Sequence, residues 1–250
     1  DQRDQLIVEL NKRVKTTVVK QDDSTYTVSI GNGQPLVVGS RPFQLASVVS
    51  PTDLSRKQIG YVLPTGTSIF PEDAITGGSL GGLFDFRKNT LDVSQNSLGR
   101  VAVGLATTFN DQHRLGQDQN GALGTDFFNA AVPRVTPSVY NVTNATVAAT
   151  ISDAGRLTTS DYELRFDGTN YRALRLSDNT LLSSTDLAAA QTALSAEGLS
   201  VTLTPGTVPV TAGDNFLIKP TTYGASLFKV TLTDRANIAA ASPIATATAA

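Results

Sequence analysis

The residues best suited to chemistry lie in one stretch, residues 109–128, which reads FNDQHRLGQDQNGALGTDFF and holds the only histidine of the chain, His113. Asp118, Asn120 and Gly121 resemble part of a calcium-binding loop, but the third ligand before the glycine and the closing glutamate of such a loop are missing. One histidine without cysteine cannot complete a zinc shell. The pattern therefore favours a turn held by Asx hydrogen bonds, with His113 interacting with the last carbonyls of a preceding helix.

A second candidate for catalysis is Ser79 in the sequence GGSLG, which matches the G-x-S-x-G pattern of a nucleophile elbow. An elbow needs a buried strand before the serine, and FPEDAIT is not such a strand. The only candidate base, His113, would stand about 45–50 Å away, at the far end of one long helix. The glycines are therefore interpreted as the start of that helix. The sequence predicts no enzyme and no catalytic, cofactor-binding or metal-binding residues.

Composition excludes several further classes of function. The 250 residues carry a formal net charge of −2, and lysine and arginine are scattered, so a nucleic-acid or membrane surface is not indicated. The absence of cysteine excludes a disulfide framework and a thiolate site. No apolar run is long enough to cross a bilayer, and neither a transmembrane helix nor a secretory leader is expected within these residues. Because the first residues already follow a helical pattern, we expect a fragment of a longer protein whose partners are proteins.

The first third of the chain predicts a helix followed by a small antiparallel sheet. Leu6, Leu10 and Val14 recur at four-residue steps, which indicates an amphipathic helix. In TYTVSI, apolar residues alternate with Thr and Ser up to a turn, GNG, at residues 31–33, and the run PLVV follows. The segments TTVVK and RKQIGYVLP continue the strand pattern.

The most regular segment runs from about residue 80 to residue 113, and its large apolar residues recur every seven positions. This period is typical of a long helix with a coiled-coil-like seam. With their neighbours these residues form an apolar stripe, which consists of Phe84, Leu91, Leu98, Val101, Leu105 and Phe109. The first helix is too short to cover the stripe, so helices outside the chain are expected to pack on it.

The remainder of the chain predicts a β-rich region. The sequence DYELRFDGTNYRALRL, residues 161–176, alternates on both sides of Asp167 and Gly168, which is a strong hairpin signal. GLSVTLTP and DNFLIKP predict further strands. Asp186 and Gly198 bracket a short helix as its N-cap and its C-terminal glycine.

Two similar segments stand near the ends of this region, ATISD at residues 149–153 and VTLTD at residues 230–234. They are expected to pair and close the domain. An Ala-rich tail, residues 236–250, follows and is expected to fray from Pro243 onward.

The stretch at residues 109–128 resembles the signature of the hook-associated protein 1 family of bacterial flagella. That family has a helix ending in Phe-Asn-x-Gln-His, then Gly, then Asp-x-x-Gly-x-x-Gly and a closing Phe-Phe. The matching residues here are Phe109, Asn110, Gln112, His113, Gly116, Asp118, Gly121, Gly124, Phe127 and Phe128. DQRDQLIVELN, GGSLGGLFDFR, LGRVAVGLA, DYELRFDGTNY, FLIKP and LTDRANIAAAS are similar to the family in the same order. The resemblance therefore covers nearly the whole chain.

The resemblance implies a structural protein of the bacterial flagellum, outside the cell, that joins hook and filament after type III export. With the sequence pattern it implies an α+β fold. Residues 1–136 would form an inner domain portion of long helices and a small antiparallel sheet, and residues 137–235 a mainly β outer domain. Residues 236–250 would lead back toward C-terminal helices that the chain lacks.

The partners that the resemblance implies are the hook protein, the second junction protein, further copies in a ring, and an export chaperone that acts through missing segments. No nucleic acid, membrane or cofactor is implied. An alternative function is an extracellular binding or adhesin module carried by residues 137–235. No aromatic cluster indicates a sugar platform there, because Tyr162, Phe166 and Tyr171 lie in one hairpin and are expected to pack in the core.

Overall fold

The computed structural model describes residues 2–22, 25–64, 66–129 and 131–242 of the chain. The chain divides into two compact units, Asp1–Asp92 and Val93–Ala250. Helices and antiparallel sheets occur in both, which confirms the predicted α+β class. The assignment of residues 1–136 to an inner domain and of residues 137–235 to an outer domain stays a prediction. The fraying expected from Pro243 onward concerns residues outside the described ranges.

The first unit begins with a helix and continues with two small sheets. Its elements are α1 (Gln2–Arg13), β1 (Thr16–Lys20), β2 (Tyr26–Ile30), β3 (Gln34–Val38), β4 (Arg41–Pro42), β5 (Leu45–Val49), β6 (Lys57–Leu63), β7 (Gly66–Ile69), a 3-10 turn (Glu72–Ala74) and α2 (Gly78–Phe86). β1 to β4 form one antiparallel sheet in chain order, and β5 to β7 form the other. The predicted first helix, the strands and the turn at residues 31–33 are confirmed.

The core of the first unit lies between α1, β2 and the segment that precedes α2. Val14, Ile30, Phe70, Ala74 and Ile75 are buried there together. Side chains alternate between the two faces of β2, as its sequence indicated, and Ile30 lies on the buried face. Phe84, the first residue of the apolar stripe, is half-buried against the same core, so it differs from the rest of the stripe.

The long helix predicted from residue 80 to residue 113 consists of consecutive segments. α2 is followed by a π-helical segment, Arg87–Leu91, and then by α3, Asp92–Arg114. Arg56 holds the first residue of α3 through two hydrogen bonds of 2.8 Å to the Asp92 carboxylate. The heptad pattern did not indicate the π-helical segment. A single wider turn does not interrupt the seven-residue spacing of large apolar residues, which continues before and after it.

The second unit joins α3 to a β-rich region. Its further elements are β8 (Arg134–Pro137), β9 (Thr146–Ile151), β10 (Tyr162–Phe166), β11 (Tyr171–Arg175), β12 (Thr180–Thr185), α4 (Leu187–Ala196), β13 (Leu199–Thr204), β14 (Asn215–Lys219), α5 (Gly224–Leu227) and a 3-10 turn (Arg235–Asn237). β12, β11, β10, β14 and β8 form an antiparallel sheet in that order, and β9 pairs with β13. The core lies between this sheet, α4 and the β9–β13 pair, and Val103 of α3 belongs to it.

Local signals in this region are confirmed by the structure. β10 and β11 form the predicted hairpin, and the Asp167 carboxylate accepts hydrogen bonds from the N–H groups of Thr169 and Asn170 in its turn. Asp186 caps α4 by accepting from the N–H of Ala189 at 2.8 Å. Gly198 follows α4 with a positive φ of 85°.

The expected pairing of residues 149–153 with residues 230–234 is wrong. β9 instead pairs antiparallel with β13 along its whole length, from Ile151 opposite Leu199 to Thr146 opposite Thr204. Val230 forms only an isolated bridge, to Phe128. The similarity of the two segments reflects the same strand-type composition, which carries no information on which strands pair.

Tyr162 anchors a buried polar network in the second unit. Its side chain is 0% exposed, and its hydroxyl lies 2.6 Å from Thr158 Oγ1 and donates to Glu197 at 2.8 Å. Arg175 donates to the same glutamate. Tyr162 lies in the core and Tyr171 packs against it, as predicted. Phe166 packs on Tyr171, with ring centroids 4.8 Å apart, but does not belong to the core cluster.

Burial raises the pKa of the Tyr162 phenol above its ordinary value. The unfolded chain therefore loses this proton first, near pH 10, and stability should fall as the pH rises above that value. We expect the free energy of unfolding to decrease by up to about 1.4 kcal/mol per pH unit relative to the Tyr162→Phe variant. Urea unfolding of both proteins between pH 9 and pH 11 measures the difference. If the unfolding free energy changed equally with pH in both proteins, the expectation would be wrong. Tyr140→Phe is the matched control, because Tyr140 is exposed.

Candidate functional site

α3 presents two different faces. Its buried residues are Asn96, Gly99, Ala102, Val103, Ala106, Asn110 and His113. At about 3.6 residues per turn these positions share one side of the helix, centred about 120° from the apolar stripe. Most of them are small or polar, so the helix backbone lies close to neighbouring segments of the second unit. The sequence pattern of large apolar residues therefore indicated the exposed side of α3 and missed the buried one.

The apolar stripe from Leu91 onward is open to solvent in this chain. Leu98 and Val101 are 64% and 68% exposed, and Leu91 and Leu105 are 51% exposed. Phe109, at the end of the stripe, is 41% exposed. Isolated exposed apolar residues are ordinary on proteins, but a row of them along one helix marks an interaction surface. That another helix packs on this stripe stays a prediction.

Asn110 of α3 forms hydrogen bonds to the backbone of residues 127–128, where the chain comes back to the helix after the loop. It is 1% exposed, and its Oδ1 accepts hydrogen bonds of 2.9 Å from the N–H groups of both Phe127 and Phe128. Its Nδ2 donates to the carbonyl oxygen of Phe128, also at 2.9 Å. One buried side chain therefore satisfies three backbone groups of the returning segment, which would otherwise be left without partners.

The two phenylalanines at the end of the signature lie against α3. The ring of Phe127 lies 4.8 Å from that of Phe109 and 5.6 Å from that of His113. The ring of Phe128 lies 5.1 Å from Phe109 and stacks on Phe228 at 4.6 Å. Such aromatic contacts add to the free energy gained by burial. They hold the returning chain at the carboxyl end of the apolar stripe.

His113 is buried and bonded through both ring nitrogens. Nδ1 lies 2.6 Å from the carbonyl oxygen of Thr125, and Nε2 accepts from the N–H of Ala239 at 2.9 Å. Because a backbone N–H can only donate, Nε2 carries no proton, and the neutral ring donates from Nδ1 to Thr125. The prediction that His113 interacts with the last carbonyls of its own helix is wrong, since both partners lie in other segments.

The loop that follows α3 is held by its own aspartate. The Asp118 carboxylate oxygen Oδ1 accepts from the N–H groups of Asn120 and Ala122, both at 2.8 Å. Gly121 has a positive φ of 79°, a conformation that favours glycine. The predicted Asx turn is confirmed. Among the described residues, no group of three or more His, Cys, Asp or Glu side chains could hold a metal ion.

The remaining signature residues close this loop onto the helix end. The N–H of Gly116 donates to His113, and the N–H of Gly124 donates to Gly116, both at 3.1 Å. A Cβ built on Gly124 would lie 2.0 Å from the carbonyl oxygen of His113, so no larger residue fits without moving backbone. Gln112 is exposed and borders a cavity between the end of α3 and residues 238–242.

The segment at residues 229–241 completes the site, and sequence reasoning did not place it there. Gln117 and Ala241 exchange two backbone hydrogen bonds, of 2.8 Å and 3.2 Å. Thr231 donates its N–H to Phe127 at 2.8 Å. The signal available in the sequence was the match of LTDRANIAAAS to the family, which gives order along the chain but no contacts.

The geometry provides a helix with one open apolar side and a carboxyl end held by hydrogen bonds. A family model described as "Flagellar hook-associated protein FlgK helical domain" matches residues 1–128. The chain belongs to the FlgK family. A further FlgK family model, "Flagellar hook-associated protein 1, D2-like domain", matches residues 138–220. The first match ends at Phe128, the last residue of the signature, and the second contains the strands from β9 to β14.

Individual FlgK relatives agree with this assignment. The chain is 40% identical over 243 residues to flagellar hook-associated protein 1 of Escherichia coli K12, which is 97% of this chain and 44% of the relative. It is 39% identical over 244 residues to the protein of the same name from Salmonella typhimurium LT2, covering 97% of this chain and 43% of the relative. The chain therefore spans less than half the length of the curated relatives it matches.

A solved FlgK structure has the same fold. The flagellar hook junction protein FlgK from Burkholderia pseudomallei superposes with a TM-score of 0.84 at 34% sequence identity. The match covers 97% of this chain and 44% of the Burkholderia chain. Among the described residues of the present FlgK chain, no helix is long and apolar enough to span a membrane.

Proposed function

We propose that the chain is the central part of a structural, non-enzymatic protein that forms the junction between the hook and the filament of the bacterial flagellum by subunit packing. Membership of the FlgK family and the name of the Burkholderia relative, a hook junction protein, support this function. The observation that carries the mechanism is the open apolar stripe on α3, where Leu98 and Val101 are more than 60% exposed.

The stripe suits packing because most of its apolar side-chain surface is still exposed to solvent and could be buried by a partner. Fully burying one leucine or valine side chain contributes about 1.5–3 kcal/mol. Leu98, Val101 and Leu105 lie on one side of a single helix, so one partner helix can cover them together. The occupants we propose are terminal helices of the full-length protein, which lie outside this chain, joined by neighbouring subunits of the ring.

The site around Asn110 keeps the stripe in place. A partner that packs on a helix gains affinity when the helix does not have to be ordered first. The hydrogen bonds of Asn110 and the ring contacts of Phe127 fix the carboxyl end of α3 before any partner binds. In this proposal the signature residues from Asn110 onward position the stripe, and Phe109 alone belongs to both the signature and the stripe.

The proposed surroundings follow from the same function. The protein would act outside the cell, in contact with the hook protein, the second junction protein and further copies of itself in a ring. An export chaperone would bind segments that this chain lacks. The domain division at residues 136 and 137 belongs to this proposal, with the mainly β residues 137–235 projecting outward. The hairpin aromatics give no support to the adhesin alternative, because Tyr162 is buried and Phe166 and Tyr171 pack on each other.

The test introduces charge into the stripe of the full-length protein. Leu98→Asp combined with Leu105→Asp should leave hooks without filaments, because two carboxylates cannot be buried against a helix without a large desolvation penalty. Electron microscopy of cells counts filaments per hook, and the amount of exported variant is measured alongside. Both leucines are exposed in this chain, so its own unfolding free energy should change by no more than about 0.5 kcal/mol.

Arg100→Asp is the matched control, because Arg100 is an exposed residue on another side of α3. It changes the charge of the helix without touching the stripe, and filaments should form normally. Normal filaments on cells that carry the double leucine variant would contradict a packing role for the stripe.

A further inference from the structure

Two Asn-Gly dipeptides occur in the chain, Asn32-Gly33 and Asn120-Gly121. In such a dipeptide the backbone nitrogen of the glycine can attack the side-chain amide carbon of the asparagine, because glycine has no Cβ to block the approach. Ammonia leaves and a cyclic succinimide forms, which water then opens to aspartate or to isoaspartate. The reaction needs no enzyme and no oxidant, so its rate depends on how easily the local chain reaches the attacking geometry.

Asn32 lies at the tip of the turn between β2 and β3. Asn32 and both glycines beside it are exposed. The N–H of Gly33 donates to the carbonyl oxygen of Ile30 at 3.2 Å, and within the described ranges no side chain forms a hydrogen bond to the tip. A Cβ built on Gly33 would meet no heavy atom of the described residues within 4 Å. The space around the attacking nitrogen is therefore open.

The base of this turn is packed, although its tip is open. Ile30 is buried in the core of the first unit. A Cβ built on Gly31 would lie 2.7 Å from the carbonyl oxygen of Ala74, so the chain at Gly31 lies against that segment. Rotation of Asn32 and Gly33 at the tip therefore does not require the core to open, and such local changes cost little free energy.

The second dipeptide lies in a loop that hydrogen bonds hold on both sides. Asp118 Oδ1 accepts from the N–H groups of Asn120 and Ala122 at 2.8 Å each. The N–H of Gly121 donates to the carbonyl oxygen of Asp118 at 3.1 Å, and Gln117 Nε2 donates to the carbonyl oxygen of Gly121 at 3.0 Å. Asn120 is exposed like Asn32, but its backbone can turn into the attacking geometry only after these bonds break.

Charge adds to the difference between the two sites. The attack begins when the glycine nitrogen loses its proton, and the negative charge then passes to the side-chain amide oxygen. The Asp118 carboxylate bonds to the N–H of Asn120 and disfavours a second negative charge beside it. Residues 25–40, which contain the other turn, include no Asp, Glu, Lys, Arg or His. No charge within that turn therefore opposes the reaction at Asn32.

We propose that Asn32 is a site of spontaneous deamidation, where the folded protein converts to aspartate and isoaspartate, whereas the loop around Asp118 protects Asn120. The modification replaces a neutral amide with a carboxylate, and so adds one negative charge to an uncharged turn. Because Ile30 below the turn stays packed, the modified protein keeps its fold. The reaction needs water and no partner, so it is independent of the proposed function.

Timed incubation of the purified full-length protein in mildly alkaline buffer tests the proposal. Tryptic peptides separate the two asparagines, because lysines and arginines lie between them. Mass spectrometry measures the extent of deamidation in each peptide, and electron-transfer fragmentation distinguishes isoaspartate from aspartate. The same protein unfolded in guanidinium chloride gives the reference rates. On folding, Asn32 should keep its rate within about threefold, and Asn120 should slow at least about tenfold.

Two variants test the protection of Asn120. Asp118→Ala removes the carboxylate and its two hydrogen bonds, and it should raise the rate at Asn120 about tenfold while the rate at Asn32 stays the same. Circular dichroism checks that the variant is folded. If it is not, Gln117→Ala removes only the bond to the carbonyl oxygen of Gly121 and should raise the Asn120 rate by a smaller factor.

The proposal has two parts, and each can be overturned separately. If folding slowed Asn32 tenfold, or if no isoaspartate formed there, Asn32 would not be a modification site of the folded protein. If Asn120 reacted as fast as Asn32 in the folded protein, or at an unchanged rate in the folded variant, the loop around Asp118 would not be protective.

Discussion

Replacing Asn110 with alanine is expected to lower the free energy of unfolding by about 2–4 kcal/mol, because three hydrogen bonds are lost and their backbone partners stay at least partly buried. Those partners are the N–H groups of Phe127 and Phe128 and the carbonyl of Phe128. Alanine offers no group that could satisfy them. Urea unfolding of the purified chain at neutral pH measures the change.

The matched control is Gln112→Ala, two residues further along the same helix. Gln112 is exposed, and its replacement should change the unfolding free energy by no more than about 0.5 kcal/mol. Both residues belong to the family signature. Comparing them therefore shows whether the loss of stability comes from the hydrogen bonds of Asn110 or from changing any residue of the signature. A change below about 1 kcal/mol for Asn110→Ala would show that the returning chain is held mainly by its aromatic rings.

The sequence predicted the elements around this site better than their contacts. The turn at Asp118 depends on residues two and four positions away, so its chemistry was readable from spacing. Asn110 bonds to residues 17 and 18 positions later in the chain, and nothing in a single sequence indicates that pairing. His113 was expected to bond to carbonyl groups of its own helix. Its ring nitrogens instead bond to Thr125 and Ala239, which are distant in sequence.

The same division between local and distant interactions runs through the β-rich unit. The β10–β11 hairpin was predicted because its turn and its alternation are contiguous in sequence. The β9–β13 pair joins residues about fifty positions apart, with other strands of similar composition between them. Strand type was therefore predictable, and strand partners were not.

α3 shows why the buried face of a helix can escape a hydrophobicity pattern. Large apolar residues dominate such a pattern, and on α3 they form the exposed stripe. Where a helix approaches another backbone closely, the buried positions instead carry small residues. Gly99 and Ala106 are examples, and both are buried in this chain. On α3 the exposed row of leucines is the surface on which we propose that a partner packs, whereas glycine and alanine mark the side on which the rest of the second unit lies.

Gly99→Ala should consequently destabilise the chain by about 3 kcal/mol, at the upper end of the range for overpacking. A Cβ built on Gly99 lies 1.8 Å from the carbonyl oxygen of Thr221 and 2.7 Å from its carbonyl carbon. Both are backbone atoms, and Thr222 ties the same segment to α3 by donating from Oγ1 to the side-chain Oδ1 of Asn96 at 2.7 Å. The segment cannot move away without breaking that bond. Urea unfolding measures the loss.

Gly104→Ala gives the matched comparison, because a Cβ at that position meets no heavy atom within 4 Å among the described residues. Alanine favours a helix over glycine by about 0.5–1 kcal/mol, so this variant should be more stable than the natural chain. Glycine to alanine on the same helix is thus expected to lower the unfolding free energy at residue 99 and to raise it at residue 104. The comparison separates the effect of helix propensity from that of the backbone contact. If Gly99→Ala also stabilised the chain, α3 would not be held against residues 221–224. The stripe would then lack the rigid support on which its proposed packing depends.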